Sequence, residues 1–282
     1  MKKKPTIAQS LLSSLNPLRI ATHFWQFREL VFRLSLREIL TRYRGSFLGI
    51  SWVFIQPLLL LSVYTFVFSV IFDMKWGTGV QENRLFFAMA LFVGILTFNI
   101  FGEVANAAPT LILSHQNYAK KVVFPLEILP VVKLLSVLVH SVFGMVIVVI
   151  GVLFVTHTIP WTLILLPAAW LPMIIFALGW GFLLAALGVF IRDIGVSVGV
   201  LVNMLFFLSP VFYPIEAVPE QLRVYCRINP IAVYIQDARR VVLLGQPPDW
   251  PWFLGGLAVA FLVFAVGFAG FMRSKRAFAD VL

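Results

Sequence analysis

The sequence predicts an all-α membrane protein with six transmembrane helices, an N-terminal amphipathic helix at the membrane interface, and two short re-entrant outer helices. Three observations carry that expectation. Uncharged runs long enough to cross a hydrocarbon layer of ~30 Å recur along the 282 residues. Hydrophobic residues make up 61% of the chain, charged residues only 12%, and mean hydropathy is +0.96, whereas soluble domains are roughly half apolar and a quarter charged. The stretch 189–216, VFIRDIGVSVGVLVNMLFFLSPVFYPIE, opens on Arg192–Asp193, runs uncharged from Ile194 to Ile215, and closes on aromatics and prolines. A span, a proline stop and a half-apolar return describe the wall of a passage, because irregular backbone survives at membrane depth only against protein or water.

Taken in order, residues 1–21 read as a basic leader too polar and too short in its apolar part for a cleaved signal. Residues 22–46 read as the amphipathic interface helix. Leu36, Ile39, Leu40, Tyr43 and Phe47 share one side, and the upstream stripe Phe24, Phe27, Leu30, Val31 and Leu34 is rotated from it. A bend near Leu34–Leu36, or two short helices, is expected.

The transmembrane domain is expected over 47–272, with spans at about 47–72, 85–105, 132–155, 171–190, 194–213 and 250–272. Gln56–Pro57 should kink the first span. Pro160, Pro167 and Pro172, with Trp161 and Trp170, suggest an interfacial entry to the fourth, since tryptophan favours the headgroup level. Between spans lie a mixed segment at 107–130 and an outer segment at 215–249. The outer segment carries two helical patterns, about 217–227 and 230–243, split by Asn229–Pro230. Residues 273–282 form a basic tail.

Six spans put both termini on one side. Of the 22 Lys and Arg residues, 16 fall on that side and 6 on the other, which makes the terminal side cytoplasmic. The net charge of +10 therefore reads as membrane orientation and contact with anionic lipid headgroups, and excludes a nucleic-acid groove.

Chemistry-bearing patterns are few. No Gly-Lys pair exists, so there is no P-loop. The four histidines have no metal-ligand spacing, and Cys226, the single cysteine, reads as a small buried residue. Glu103, Lys133 and His140 are the ionisable groups within or beside spans, and each sits near a span end or alone. Energised work would draw on a partner.

The segment 108–130, bounded by Pro109, Pro125 and Pro130, could insert a short helix ending at Lys120–Lys121 into a cytoplasmic ATPase, or could be a solvated loop whose lysines bind headgroups. The outer helices at 215–249 read as a gate rather than a plain cap, because prolines fix a bent path. Tyr64, Phe66, Phe68, Phe72, Phe206, Phe207, Phe212 and Tyr213 gather at the outer ends of the first and fifth spans. They could stack sugar rings along a path, face lipid, or pack as core. Arg192–Asp193 reads as a local ion pair or cap, with a partner contact as the other possibility.

RYRGSFLGISWVFIQPLLLLSVYTFVFS (42–69), NYAKKVVFPLEILP (117–130), FIRDI (190–194), FFLSPVFYPIEAVP (206–219), INP (228–230) and the tail ending FADVL are each weak signals. In their order and spacing they resemble type-2 ABC exporter permeases of the polysaccharide branch, the group of O-antigen, capsule and teichoic acid export permeases. The resemblance covers nearly the whole chain, apart from a longer leader.

The resemblance implies an interface helix over Arg28–Ser46, carrying Arg33, Arg37, Arg42 and Arg44, and a tight link at Leu48–Gly49. His115, Gln116, Asn117, Tyr118, Lys120 and Lys121 would lie in or beside a coupling helix that docks on the nucleotide-binding subunit. Residues 217–243 would be paired gate helices. Two copies of the chain would join two copies of a separate ATPase in the bacterial inner membrane. ATP and Mg²⁺ would be bound by that partner and no cofactor by this chain, which would be a transport subunit and not an enzyme. The cargo would be a lipid-linked polysaccharide, O-antigen first. Alternatives are a drug or small-lipid exporter of the same fold, which could use a closed apolar pocket, and a transferase on lipid-linked sugars, which would need clustered catalytic carboxylates or histidines. A secondary transporter would show inverted repeats, and none is evident.

Overall fold

The structure, a computed structural model, describes residues 17–73, 76, 84–116 and 124–281, and among these it contains helices and no strands. Helix α1 (Pro17–Gln26) starts on a proline, whose missing N–H costs nothing at a helix start. It breaks at Phe27 and resumes as α2 (Arg28–Tyr43). The bend thus lies at Phe27 and not near Leu34–Leu36. Phe24 packs on Phe182 and Phe268, and together with Phe27, Leu30 and Leu34 of the same stripe it also packs around Val31, Ile128 and Val132. The helix also begins inside the stretch read as leader.

Gly45 and Gly49 have φ of 83° and 52°, left-handed values that suit glycine, and they turn the chain sharply into the first span. That span is α3 (Trp52–Tyr64), continuous through Pro57, followed by a π-helical stretch Thr65–Ile71. Its departure from α geometry therefore falls in the outer half, beyond Pro57. Wide π segments are uncommon and concentrate at functional sites.

Helix α4 (Arg84–Leu111) is the central post, packed against α5 (Ile128–Thr156), α6 (Leu166–Phe190) and α7 (Ile194–Leu208). Two further helices, α8 (Glu220–Ile228) and α9 (Pro230–Val242), lie at the far end of α4 from α2. The chain then crosses again in α10 (Trp250–Ser274) and ends in a 3₁₀ turn and α11 (Phe278–Val281). α6 and α10 cross where Gly179 meets Gly267, and a Cβ on either would strike the other helix's backbone. Small residues at such crossings let dispersion hold helices together where lipid removes the hydrophobic drive.

Among the described residues five helices are long and apolar enough to span a membrane, and α7 is shorter. Its 15 residues rise ~22 Å, less than the ~30 Å hydrocarbon layer. Pro210 explains the early stop: it disfavours helical geometry at the preceding residue, and Ser209 is extended at φ −83°, ψ 148°. Trp170 also departs from expectation. It is buried, and its indole N–H donates to Thr97 Oγ1 at 3.1 Å, so it packs α6 on α4 while Trp161 alone stays exposed.

Candidate translocation wall and its anchors

The aromatics at the ends of α3 and α7 converge. Phe212 stacks on Phe68 at 5.1 Å and on Phe207 at 5.4 Å, and meets Tyr64 at 5.9 Å and Phe206 at 4.9 Å, edge-on to both. Phe68 continues to Phe72 at 5.9 Å, and Phe206 rests on Phe98 of α4 at 4.9 Å. Spacing explains the assembly: Tyr64, Phe68 and Phe72 fall four apart on one helical face, and the turn after α7 folds Phe212 back over Phe206 and Phe207. Phe212 is buried at the centre of the wall while Phe72 and Phe207 remain exposed. Tyr213 points its hydroxyl back to the carbonyls of Phe207 and Leu208, both at 3.3 Å, and so closes the turn. Phe66 lies outside the network and is exposed.

Below the wall, polar side chains stand exposed at span depth: Gln56 on α3, Asn106 on α4 and Asn203 on α7. Gln56 and the half-buried Asn99 share a narrow crevice of about 60 Å³ with Glu103 and His140. Polar groups at membrane depth need water or protein to satisfy them, so this face does not meet lipid alone.

The turn carrying Phe212 is held from behind by a residue of the second outer helical pattern to which the sequence reading had assigned no role. Arg239 of α9 is fully buried and donates from Nε to Ala90 O at 2.8 Å, from Nη1 to Pro210 O at 2.6 Å and from Nη2 to Val211 O at 2.7 Å. Its guanidinium lies 4.2 Å from the Trp76 ring centroid. A Cβ on Gly94 would lie 2.5 Å from Arg239 Nη2, so only glycine leaves room for it. The signal was present in the spacing: Arg239 follows Ile235 by four and precedes Val242 by three, on the apolar stripe of α9. Asn229 adds a second anchor. Its Oδ1 caps α9 through the Ile231 N–H and its Nδ2 donates to Ser209 Oγ, each at 3.0 Å.

At the other end, the three isolated ionisable groups all bind α2. Arg42 pairs with Glu103 at 3.0 Å, and Lys133 with Glu38 at 3.0 Å. His140 Nδ1 faces Ser136 O at 2.7 Å and so carries the proton, which leaves Nε2 to accept from the Tyr43 hydroxyl at 2.6 Å. Tyr43 therefore turns inward, away from the exposed Leu36, Leu40 and Phe47. Arg33 pairs with Glu29 on the exposed face, while Arg37 and Arg44 are exposed.

Glu127, just before α5, is buried and joins both chain ends: His23 Nε2 lies 2.8 Å from Oε1, and Lys275 donates to Oε2. Burial alone would raise its carboxyl, but the hydrogen bonds from Lys275 and His23 prevail and hold it below the usual range. His115 closes the 3₁₀ turn Leu113–His115 directly below α4, with Gln116 after it. Asn117, Tyr118, Lys120 and Lys121 lie outside the described residues. Arg192 and Asp193 form neither the ion pair nor the side-chain cap expected of them among the described residues, and both are exposed.

Apolar spanning helices, a cluster of aromatics beside short bent helices, and ionisable groups paired between helices define a multi-pass membrane protein. Residues 29–244 match the family described as ABC-2 type transporter, and the chain belongs to that family. It is 26% identical over 265 residues to the O-antigen export system permease protein RfbA of Myxococcus xanthus, covering 93% of this chain and 99% of that one. It is 24% identical over 264 residues to the capsule polysaccharide export inner-membrane protein CtrC of Neisseria meningitidis, covering 87% and 93%. It is 23% identical over 213 residues to the polysialic acid transport protein KpsM of Escherichia coli, covering 75% and 80%.

Proposed function

We propose that two copies of this chain, with two copies of a separate nucleotide-binding ATPase, form an inner-membrane channel that extrudes a lipid-linked polysaccharide, of O-antigen type first. Both termini are cytoplasmic in this arrangement, and ATP and Mg²⁺ are bound by the ATPase. The aromatic wall from Tyr64 to Phe212 is the observation that carries the reading. Exposed rings of the cluster such as Phe72 and Phe207 can meet apolar sugar faces without demanding one sequence of sugars, which is what a passage for a repeating polymer needs. The exposed Asn106, Asn203 and Gln56 continue that wall with groups that can meet sugar hydroxyls or water. The relatives named above for O-antigen, capsule and polysialic acid support the substrate class.

Coupling follows from α4. Its 28 residues form a rod of ~42 Å, with Ala90 under the Arg239 anchor near one end and His115–Gln116 just past the other. An ATPase that grips the segment His115–Lys121 can then tilt this rod and move the Pro210–Val211 turn. The deciding experiment is mild-detergent purification of the chain from its native membrane with mass identification of what co-elutes. A P-loop ATPase in equal amount is expected. A folded chain that elutes without one would remove the coupling assignment.

A further inference from the structure

Beside the aromatic wall, at the same end of the protomer, a cleft of about 450 Å³ opens between the turn Ile215–Ala217, α9 and the start of α10. Glu216, Gln236, Asp237, Arg240, Asp249 and Trp252 supply its polar and aromatic lining. The chain enters it directly from the wall, since only Tyr213 and Pro214 separate Phe212 from Ile215.

Asp237 makes this more than a groove between helices. Only 2% of it is exposed, and its Oδ1 accepts the Asp249 N–H at 2.9 Å. Its Oδ2 is buried and accepts no hydrogen bond among the described residues. A carboxylate oxygen shut away from water without a donor is costly, by ~1–3 kcal/mol or more. Arg240 eases that cost by its charge but makes no hydrogen bond to Oδ2, its Nε being directed to Pro247 O at 3.0 Å. Trp252 is half exposed and lines the same space. Asp237 Oδ2 thus lacks a donor, beside a large aromatic side chain that is open to the cleft.

That pair of needs identifies the ligand. A sugar ring has an apolar C–H face for tryptophan and hydroxyls that donate to carboxylate and amide oxygens. A metal ion fits poorly, since among the described residues no three His, Cys, Asp or Glu side chains converge. Charge narrows the class further: Glu216, Asp237 and Asp249 outnumber Arg240, so a polymer carrying carboxylates is repelled.

We propose that this cleft is a carbohydrate subsite for neutral or amino sugars, in which Trp252 stacks a ring and Asp237 accepts its hydroxyl as the glycan leaves the aromatic wall. The proposal rests on the polysaccharide-export reading and adds a specificity to it: the cargo is not a polyanion of the polysialic acid kind.

The test uses the permease–ATPase complex purified from its native membrane into lipid nanodiscs. The probes are the delipidated oligosaccharide released from the same cells' surface glycan and an oligosialic acid of equal length, each titrated calorimetrically. The native oligosaccharide is expected to bind, and D237N, which keeps the side-chain shape, and W252A each to weaken it about tenfold, as loss of one such contact implies. W250A, on the same helix but outside the cleft, should bind like the parent. Oligosialic acid should bind at least about tenfold more weakly than the native probe. Unchanged affinity in both D237N and W252A overturns the subsite, as does a native glycan rich in carboxylates. ATP-driven export into vesicles is measured on the same preparation. Export without any oligosaccharide binding removes the subsite and leaves the transport reading standing, whereas a complex that moves no glycan removes both.

Discussion

Helices α3 and α4 are alike in hydropathy and opposite in circumstance. Both are apolar enough to span, with hydropathies of 1.8 and 2.2, yet 6% of the first span's most apolar window is buried in the protomer and 89% of the second's. Lipid tails are as apolar as leucine, so hydropathy places a helix in the membrane without saying what surrounds it there. What differs is the kind of side chain. α4 mixes Gly94, Gly102 and several alanines with phenylalanines, which lets α5, α6 and α9 approach closely. α3 carries Leu58, Leu59, Leu60 and Val63 largely exposed, an apolar face that the described residues leave open. One helix is a post built to be enclosed, and the other is a surface built to meet something else.

The largest break in this contrast should come from removing what fixes α4 to the outer turn. R239A strips three buried carbonyls of their donor, each worth ~1–3 kcal/mol, and should abolish a cooperative melt or lower the melting temperature of the detergent-purified chain severely. R239K should fall between, because one ammonium cannot reproduce the planar fork. Within α4 itself, F92A should cost about 3–5 kcal/mol by leaving a cavity. A parent-like melt for R239A would mean that the outer turn is held without it.

Much of this architecture could be read from the chain alone, and the exceptions share a cause. Asn229–Pro230 marked the junction of α8 and α9 because capping and proline geometry are local, whereas the tight link at Leu48–Gly49 came from the family resemblance, and Gly49 does take a left-handed φ there. The aromatic residues could be grouped from the chain because they gather at the ends of the first and fifth spans, which the structure brings together. Arg239 could not, since its acceptor on α4 lies 149 residues away and charge in an outer segment normally means solvent. Trp170 was misplaced by the same habit, its polar handle finding Thr97 instead of a headgroup. Glu103, Lys133 and His140 looked isolated because each partner is 61 to 97 residues distant. Tertiary pairing of polar groups inside an apolar protein leaves little local trace.

The second effect in size concerns the wall where α3 and α7 meet. Each aromatic contact contributes ~0.5–1.5 kcal/mol, so F206A combined with Y213A should slow glycan export about tenfold while the protein still inserts and melts cooperatively. Export by right-side-out cells, set against membrane abundance, reads both. Parent-like export would reduce the wall to packing.

A smaller effect is expected at Glu127, which ties α1 and the tail to α5 and so steadies the base of the enclosed helices. E127Q loses two charge-assisted hydrogen bonds and should lower stability by about 1–3 kcal/mol at neutral pH. The sign of its pH dependence is set by the depressed carboxyl: the contribution is fully present above the ordinary carboxylate value of 4.5 and is lost as pH falls through the lower folded value. Melting curves of parent and E127Q should therefore converge in acid. A gap that persists there would mean that Glu127 acts by packing rather than by charge.

The smallest effect on the protomer should come from the exposed face of α3, and it is the most informative. L59A with V63A removes apolar surface that is mostly exposed in the protomer, so unfolding of the isolated protomer should change by no more than about 0.5 kcal/mol. If that face meets only lipid, assembly is equally indifferent, because acyl chains cover alanine as readily as leucine. If a second copy covers it, the same pair should lower the fraction of dimer in cross-linking or single-molecule photobleaching at fixed lipid dilution. Gln56 and the π stretch Thr65–Ile71 favour the second outcome: one puts a polar amide on the span, and the other widens the helix where its aromatics meet α7. A dimer fraction untouched by L59A and V63A would place the partner elsewhere and leave α3 as a lipid-facing helix with an aromatic tip.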